Sequence, residues 1–194
     1  MKISSLLAIL AAGFTFAAPS QLEVRDDPDV PKHTDAEFIK IIMDAHWYWR
    51  RIHCAQDLKW DPELAEAAFK SVNACTNMPQ HDRAGSNLSS ARPSPNKREG
   101  WLEFARTVVH GWHEEELKYP YDNPHWHAAW GHFTQLVWRD TSRIGCALSH
   151  CPDDRPWPAR VYCFYENPGN NLAYDFKDEV WPMVCGDPSG PRPQ

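Results

Sequence analysis

The chain has 194 residues, with 26 Asp and Glu against 20 Lys and Arg, six cysteines and a formal net charge of −6. That length suits one domain with a real hydrophobic core. The acidic balance, without a long basic run, excludes a nucleic-acid surface as its main business. At 42% apolar and 12% aromatic, the composition also excludes a disordered or repetitive chain despite 17 prolines.

Met1 and Lys2 supply a short positive start, an apolar run follows from Leu6 to Phe16, and Ala17-Ala18-Pro19 closes it. This layout predicts a secretory signal peptide over residues 1–18. The run is too short to span a bilayer, so no transmembrane segment is expected. Cleavage after Ala18 removes one lysine and no acid, which leaves a charge of −7. All six cysteines remain in the exported part. An even count there predicts three disulfides, with the pairing left open by spacing. Residues 19–33 carry prolines and acids without periodicity and are expected to form a flexible leader, in which Arg25 could mark a processing step.

Thr34 to His53 reads as a helix. Thr34 with Glu37 makes a capping box, and Phe38, Ile41, Ile42, Ala45, Trp49 and Ile52 share one face. Asp61-Pro62 opens a second helix, with the acid as cap and the proline where its missing N–H costs nothing. Its stripe is Leu64, Ala68, Val72 and Cys75. Residues 79–98 lose the pattern and read as a loop with at most a short strand. Within them Asn87-Leu88-Ser89 is an N-glycosylation sequon, usable if exposed.

A third helix is expected from Glu99 to Leu117, its apolar face made by Trp101, Phe104, Ala105, Val108, Val109 and Trp112. Glu115 continues that stripe and should point inward, where a carboxylate needs a partner. Glu114 and Glu116 should turn to solvent. After Pro120 the chain fills with aromatics and histidines and leads into a short helix or turn. Ile144, Cys146 and Leu148, then Val161, Cys163 and Tyr165, alternate as two antiparallel strands. The tail over residues 187–194 is expected to fray. Three helices followed by a cysteine-tied sheet predict a single α+β domain.

Ten histidines are available as partners for Glu115, and His81 and His132 have the most informative settings. Two imidazoles near a carboxylate can hold a divalent ion or supply a general base. There is no HExxH and no GxSxG, so the usual protease and lipase signatures are missing.

Two segments carry a resemblance. Gly131-His132-Phe133-Thr134-Gln135-Leu136-Val137-Trp138-Arg139-Asp140-Thr141 and Val161-Tyr162-Cys163-Phe164-Tyr165-Glu166-Asn167-Pro168-Gly169-Asn170 resemble, in order, the two signatures of the CAP superfamily. These are the cysteine-rich secretory, antigen 5 and pathogenesis-related 1 proteins, and the secreted fungal branch is the most similar. Ile144-Gly145-Cys146 and Cys151 fit between the signatures. Upstream, His46, Arg50 and His53, then Leu58, Trp60, Asp61, Leu64 and Ala65, match the first two helices.

The resemblance implies a three-layer α-β-α sandwich with an antiparallel sheet over residues 34–186, in a secreted, extracellular monomer. It implies a central cleft of two histidines and two glutamates, mapping to His81, His132 and Glu115. The fourth position holds Ser86, because Gly85-Ser86-Asn87 stands where the family has Gly-Glu-Asn. Ser86 supplies no charge, so a cation held by His81 and His132 should bind more weakly. No cofactor is required, but zinc or magnesium could sit there. The implied disulfides are Cys75–Cys151, Cys146–Cys163 and Cys54–Cys185.

Family members that bind lipid imply a sterol or a fatty acid as ligand. The aromatic spacing of the family's sterol loop recurs in Tyr119, Tyr121 and Trp126. The leading expectation is therefore a secreted protein that binds small apolar lipids, sterols above all. One alternative is a metal-assisted hydrolase or peptidase using the His/Glu cluster. Another is a secreted effector acting through an extracellular protein partner.

Overall fold

The computed structural model describes residues 27–192; the expected signal peptide and Arg25 lie outside the described residues. Helix α1 runs from Ala36 to Ile52. Its cap is Asp35 and not Thr34, because the Asp35 carboxylate accepts the free N–H groups of Glu37 and Phe38 at 3.0 and 3.1 Å. Arg98 closes over the same carboxylate at 3.0 Å and holds its pKa below the usual range.

Helix α2, Pro62–Asn73, starts on Asp61 with proline in its first turn. Helix α3 covers Arg98–Glu114 and then tightens into a 3-10 turn over Glu115–Lys118. The helix expected to reach Leu117 thus changes its winding at the residue that matters most.

Strands β1 (Lys59–Trp60), β2 (Ser86–Ala91), β3 (Arg143–His150) and β4 (Ala159–Glu166) form one sheet in the order β1-β3-β4-β2. Strands β3 and β4 pair antiparallel, and β2 adds antiparallel to β4. The two-residue β1 lies parallel to β3, so the sheet is mixed and not wholly antiparallel.

Both faces of the central strands are covered. Ala147, Tyr162 and Phe164 pack beneath Leu64, Ala68 and Val72 of α2. Ile144, Cys146, Leu148, Val161, Cys163 and Tyr165 face the larger core, where α1, α3 and α4 (Gly131–Val137) bring Phe38, Ile42, Trp101, Val109, Phe133 and Leu136. Period-2 alternation therefore divides residues between two cores instead of between core and water. This is an α-β-α sandwich. Gly145 allows the close approach of β3 to α2: a Cβ there would stand 2.1 Å from the backbone nitrogen of Ala65.

The cysteines are joined as Cys54–Cys185, Cys75–Cys151 and Cys146–Cys163, and none is free. Cys146 and Cys163 are direct partners across β3 and β4. Arg50 on α1 is fully buried, yet every one of its nitrogens has an acceptor. Its guanidinium donates to the carbonyls of Gln56, Leu136, Trp138 and Thr141 and so fastens α1 to the loop beyond α4.

The described parts of the leader and of the tail, residues 27–33 and 187–192, are packed. In the leader, Pro31 is buried, Asp27 accepts from His150 at 2.7 Å, and His33 lies against Phe69. Beyond Cys185, Asp187 accepts from Tyr48 and Arg192 bonds to Asp44 at 2.9 Å, so the tail follows α1 as far as it is described. No described helix is long and apolar enough to cross a membrane.

Candidate functional site

Three elements converge on one cleft. His81 comes from the loop after α2, Ser86 begins β2, and His132 is the second residue of α4. Together with Arg83, Trp126 and Asn170 they line a cavity of about 470 Å3. The His81 and His132 rings lie 5.8 Å apart at 26°.

Glu115 stands behind this wall and not in it. Its Oε1 accepts from His132 Nδ1 at 2.7 Å, while Oε2 accepts the N–H groups of His132 and Phe133 at 3.0 and 3.2 Å. The carboxylate therefore satisfies orphan donors of the first turn of α4 and fixes one imidazole at the same time. The inward direction read from the α3 stripe has a physical reason.

Hydrogen-bond logic settles the ring tautomers. A carboxylate only accepts, so His132 bears a proton on Nδ1, and in the neutral ring Nε2 is the lone pair. The Ser86 hydroxyl donates to the carbonyl of Arg83 at 2.9 Å, so it accepts from His81 Nδ1 at 2.8 Å. His81 likewise keeps Nε2 as an acceptor. Desolvation in the cleft wall, with His132 beside it, lowers the pKa of His81 and favours the neutral ring. Ser86, though uncharged, thus orients a histidine.

Asn87 follows on β2 at the edge of the same cavity, but its side chain is buried and engaged. The residue is 1% exposed, and its Nδ2 donates to the His132 carbonyl at 3.0 Å. The sequon therefore does not present a glycan-bearing side chain in the folded protein. The exposure on which use of the sequon depends is not present at this side chain.

The aromatic loop is divided. Tyr119 is buried, 4.8 Å from the Tyr121 ring and 5.5 Å from that of Phe133, and Tyr121 donates to Glu116 at 2.7 Å. Trp126 alone of the three lines the cleft, and it is 48% exposed. Tyr119 is a core residue packed on Phe133, and Tyr121 lies half-buried against it.

A second group was not anticipated. His53, which caps α1, His113 on α3 and Glu116 on the 3-10 turn place one ligand atom each within 4.8 Å of one another, a set able to coordinate a divalent metal. Glu116, expected from the helical stripe to face solvent, has a side chain only 13% exposed. Burial lowers the pKa of both histidines, that of His113 to about 3, with His53 and His110 adding to the effect there. The metal-capable three-residue cluster thus lies at these residues, while His81 and His132 form an imidazole pair without a carboxylate in the wall.

Comparison with known proteins agrees with this architecture. The chain is 32% identical to the secreted protein RBT4 of Candida albicans over 74% of its length, and 39% identical to protein PRY2 of Saccharomyces cerevisiae over 76%. It spans 38% and 42% of those relatives, less than half of each. Among solved structures, that of Na-ASP-1 superposes with a TM-score of 0.61 at 18% identity, covering 86% of this chain and 47% of the other. A relative named as secreted and three closed disulfides agree on an extracellular location. Residues 43–165 match the Cysteine-rich secretory protein family, CAP. The sandwich, the His81/His132 cleft and this match lead to one conclusion: the chain belongs to the CAP family.

Proposed function

We propose that the protein acts outside the cell as a cation-dependent binding protein. Its cleft takes a small amphipathic ligand, a sterol or a fatty acid, beside a divalent ion held by His81 and His132. One observation carries this reading. Both rings have Nδ1 engaged, by Ser86 and by Glu115, so both offer Nε2 as a metal ligand. Two neutral imidazoles suit zinc better than magnesium, which prefers oxygen. Trp126 adds an apolar wall to a cavity of about 470 Å3, within the usual range for a small-molecule site.

A metal-assisted hydrolase is the second reading, favoured by the fixed tautomer of His132. A bound ion would polarise a carbonyl or lower the pKa of a water. The general base for that reaction has no evident residue here. Glu115 is committed to two backbone N–H groups and a ring nitrogen, and Ser86 carries no charge.

The two readings separate in one set of measurements. Binding of a fluorescent sterol and of a fatty acid is followed with and without zinc, beside turnover of ester and peptide substrates. Saturable binding that zinc strengthens and His132→Ala weakens, without turnover, supports the binding protein. Zinc-dependent turnover lost in His132→Ala supports the hydrolase. Neither binding nor turnover in the folded protein rejects both.

A further inference from the structure

The group formed by His53, His113 and Glu116 is absent from the wall of the cleft. Its geometry is that of a ligand set. His53 Nδ1 lies 2.6 Å from the carbonyl oxygen of Trp181, which can only accept, so the ring proton sits on Nδ1 and Nε2 is a lone pair. That Nε2 is 2.9 Å from His113 Nε2. Glu116 Oε2 is 3.4 Å from His113 Nε2 and 3.9 Å from His53 Nε2. A triangle with these sides has a centre about 2.0 Å from every corner, which is the length of a zinc–imidazole or zinc–carboxylate bond.

The surroundings are those of a held site. Glu116 Oε1 accepts from the Tyr121 hydroxyl at 2.7 Å, which turns Oε2 toward the rings. Trp49 stacks on His113 at 3.6 Å, and Phe133 packs edge-on against both histidines. Each of the three ligands is thus fixed by packing or by a partner behind it, the arrangement that supports metal affinity. Without a metal, two imidazole nitrogens share the centre with a carboxylate, and only one proton can lie between the rings.

We propose that His53, His113 and Glu116 form a second divalent-metal site, distinct from the His81/His132 cleft, with a His2Glu donor set that favours zinc over magnesium and calcium. The site clamps the end of α1 to the end of α3. Through Tyr121 and the Trp181 carbonyl it also reaches the aromatic loop and the C-terminal segment. The small exposure of Glu116 leaves an edge where water can complete the coordination. The proposal does not depend on the reading of the cleft.

The test is zinc titration by calorimetry of the full secreted chain after chelator treatment, with metal content measured by mass spectrometry and thermal unfolding followed in parallel. The double variant His81→Ala/His132→Ala is expected to retain one tightly bound zinc and a zinc-dependent rise in Tm. Adding Glu116→Gln to it should weaken that zinc by about 100-fold, and adding Tyr121→Phe by about 10-fold. His113→Phe should abolish the rise. Glu116→Gln is the near-isosteric control if His113→Phe fails to fold. A folded double variant that binds no zinc, or that binds it equally well with Glu116→Gln, overturns the site. Loss of ligand binding in the double variant with zinc retained would bear on the cleft alone.

Discussion

Glu115 grips His132 at two points, accepting from the ring at 2.7 Å through Oε1 and from the backbone N–H at 3.0 Å through Oε2. One carboxylate thereby sets the position, tautomer and orientation of the histidine, and also caps the start of α4. Glu115→Gln keeps the shape but presents an NH2 group to one of these donors. It should destabilise the fold by about 1–3 kcal/mol through a donor left without an acceptor. Zinc affinity at the cleft should fall by about 10-fold as the ring loosens. Urea unfolding, together with zinc titration in a His113→Phe background, reads both. Unchanged values in both would deny Glu115 its positioning role.

Acid should destabilise this fold before its carboxylates titrate. His46 is fully buried between the Ile42 carbonyl at 2.7 Å and the Tyr165 hydroxyl at 2.9 Å, and burial pushes its pKa down to about 3. His113 is also lowered to about 3, by burial first. An unfolded imidazole titrates near 6.5, so below that pH the unfolded chain binds more protons than the folded one. Stability is complete above about pH 6.5 and declines toward about pH 3. The slope is on the order of 1 kcal/mol per pH unit for each such ring. The urea midpoint of metal-free protein should therefore fall between pH 7.5 and 4.5, and His46→Gln should flatten the decline. A midpoint constant across that window would contradict the argument.

Asn87 should be found without a glycan in the secreted protein. Its amide lies inside β2 and holds the His132 carbonyl, and a sugar on Nδ2 would displace that contact. Glycosidase treatment followed by mass spectrometry of the peptide spanning Asn87 should show no change of mass. Asn87→Ala should cost about 1–3 kcal/mol, since it removes a buried hydrogen bond. A glycan-bearing Asn87 in folded protein would refute this reading.

Much of the architecture is legible because its signals are local. Asp61-Pro62 states a helix start within two residues, and the alternation through Ile144 and Tyr165 marks strands without reference to distant parts of the chain. Glu115 was legible for a related reason, since the stripe of α3 points it inward. Glu116 was not, because the reading continued the α-helical phase. In the observed 3-10 turn, side chains three apart eclipse, so Glu116 stands over His113. His53 completes the group from α1, a meeting that only the packing of α1 on α3 creates. The cap at Asp35 illustrates a smaller version of the same limit. Thr34 and Asp35 are both good caps, and the choice between them is decided by Arg98, 63 residues away.

The aromatic loop supplies the sharpest contrast between two side chains of similar character. The Tyr119 hydroxyl is buried with no hydrogen-bond partner among the described residues, and burial raises its pKa to about 12. Tyr119→Phe removes that unsatisfied group and keeps the ring against Tyr121 and Phe133. Stability should hold or rise by about 1 kcal/mol, with ligand binding unchanged. Trp126 is half exposed at the cleft, and Trp126→Ala should leave stability within about 0.5 kcal/mol. Because it removes much of the apolar wall, it should weaken binding of a fluorescent sterol or fatty acid by about 10-fold or more. Equal loss of binding in Tyr119→Phe and Trp126→Ala would mean that the loop acts as one ligand surface, against the division of labour that its packing imposes.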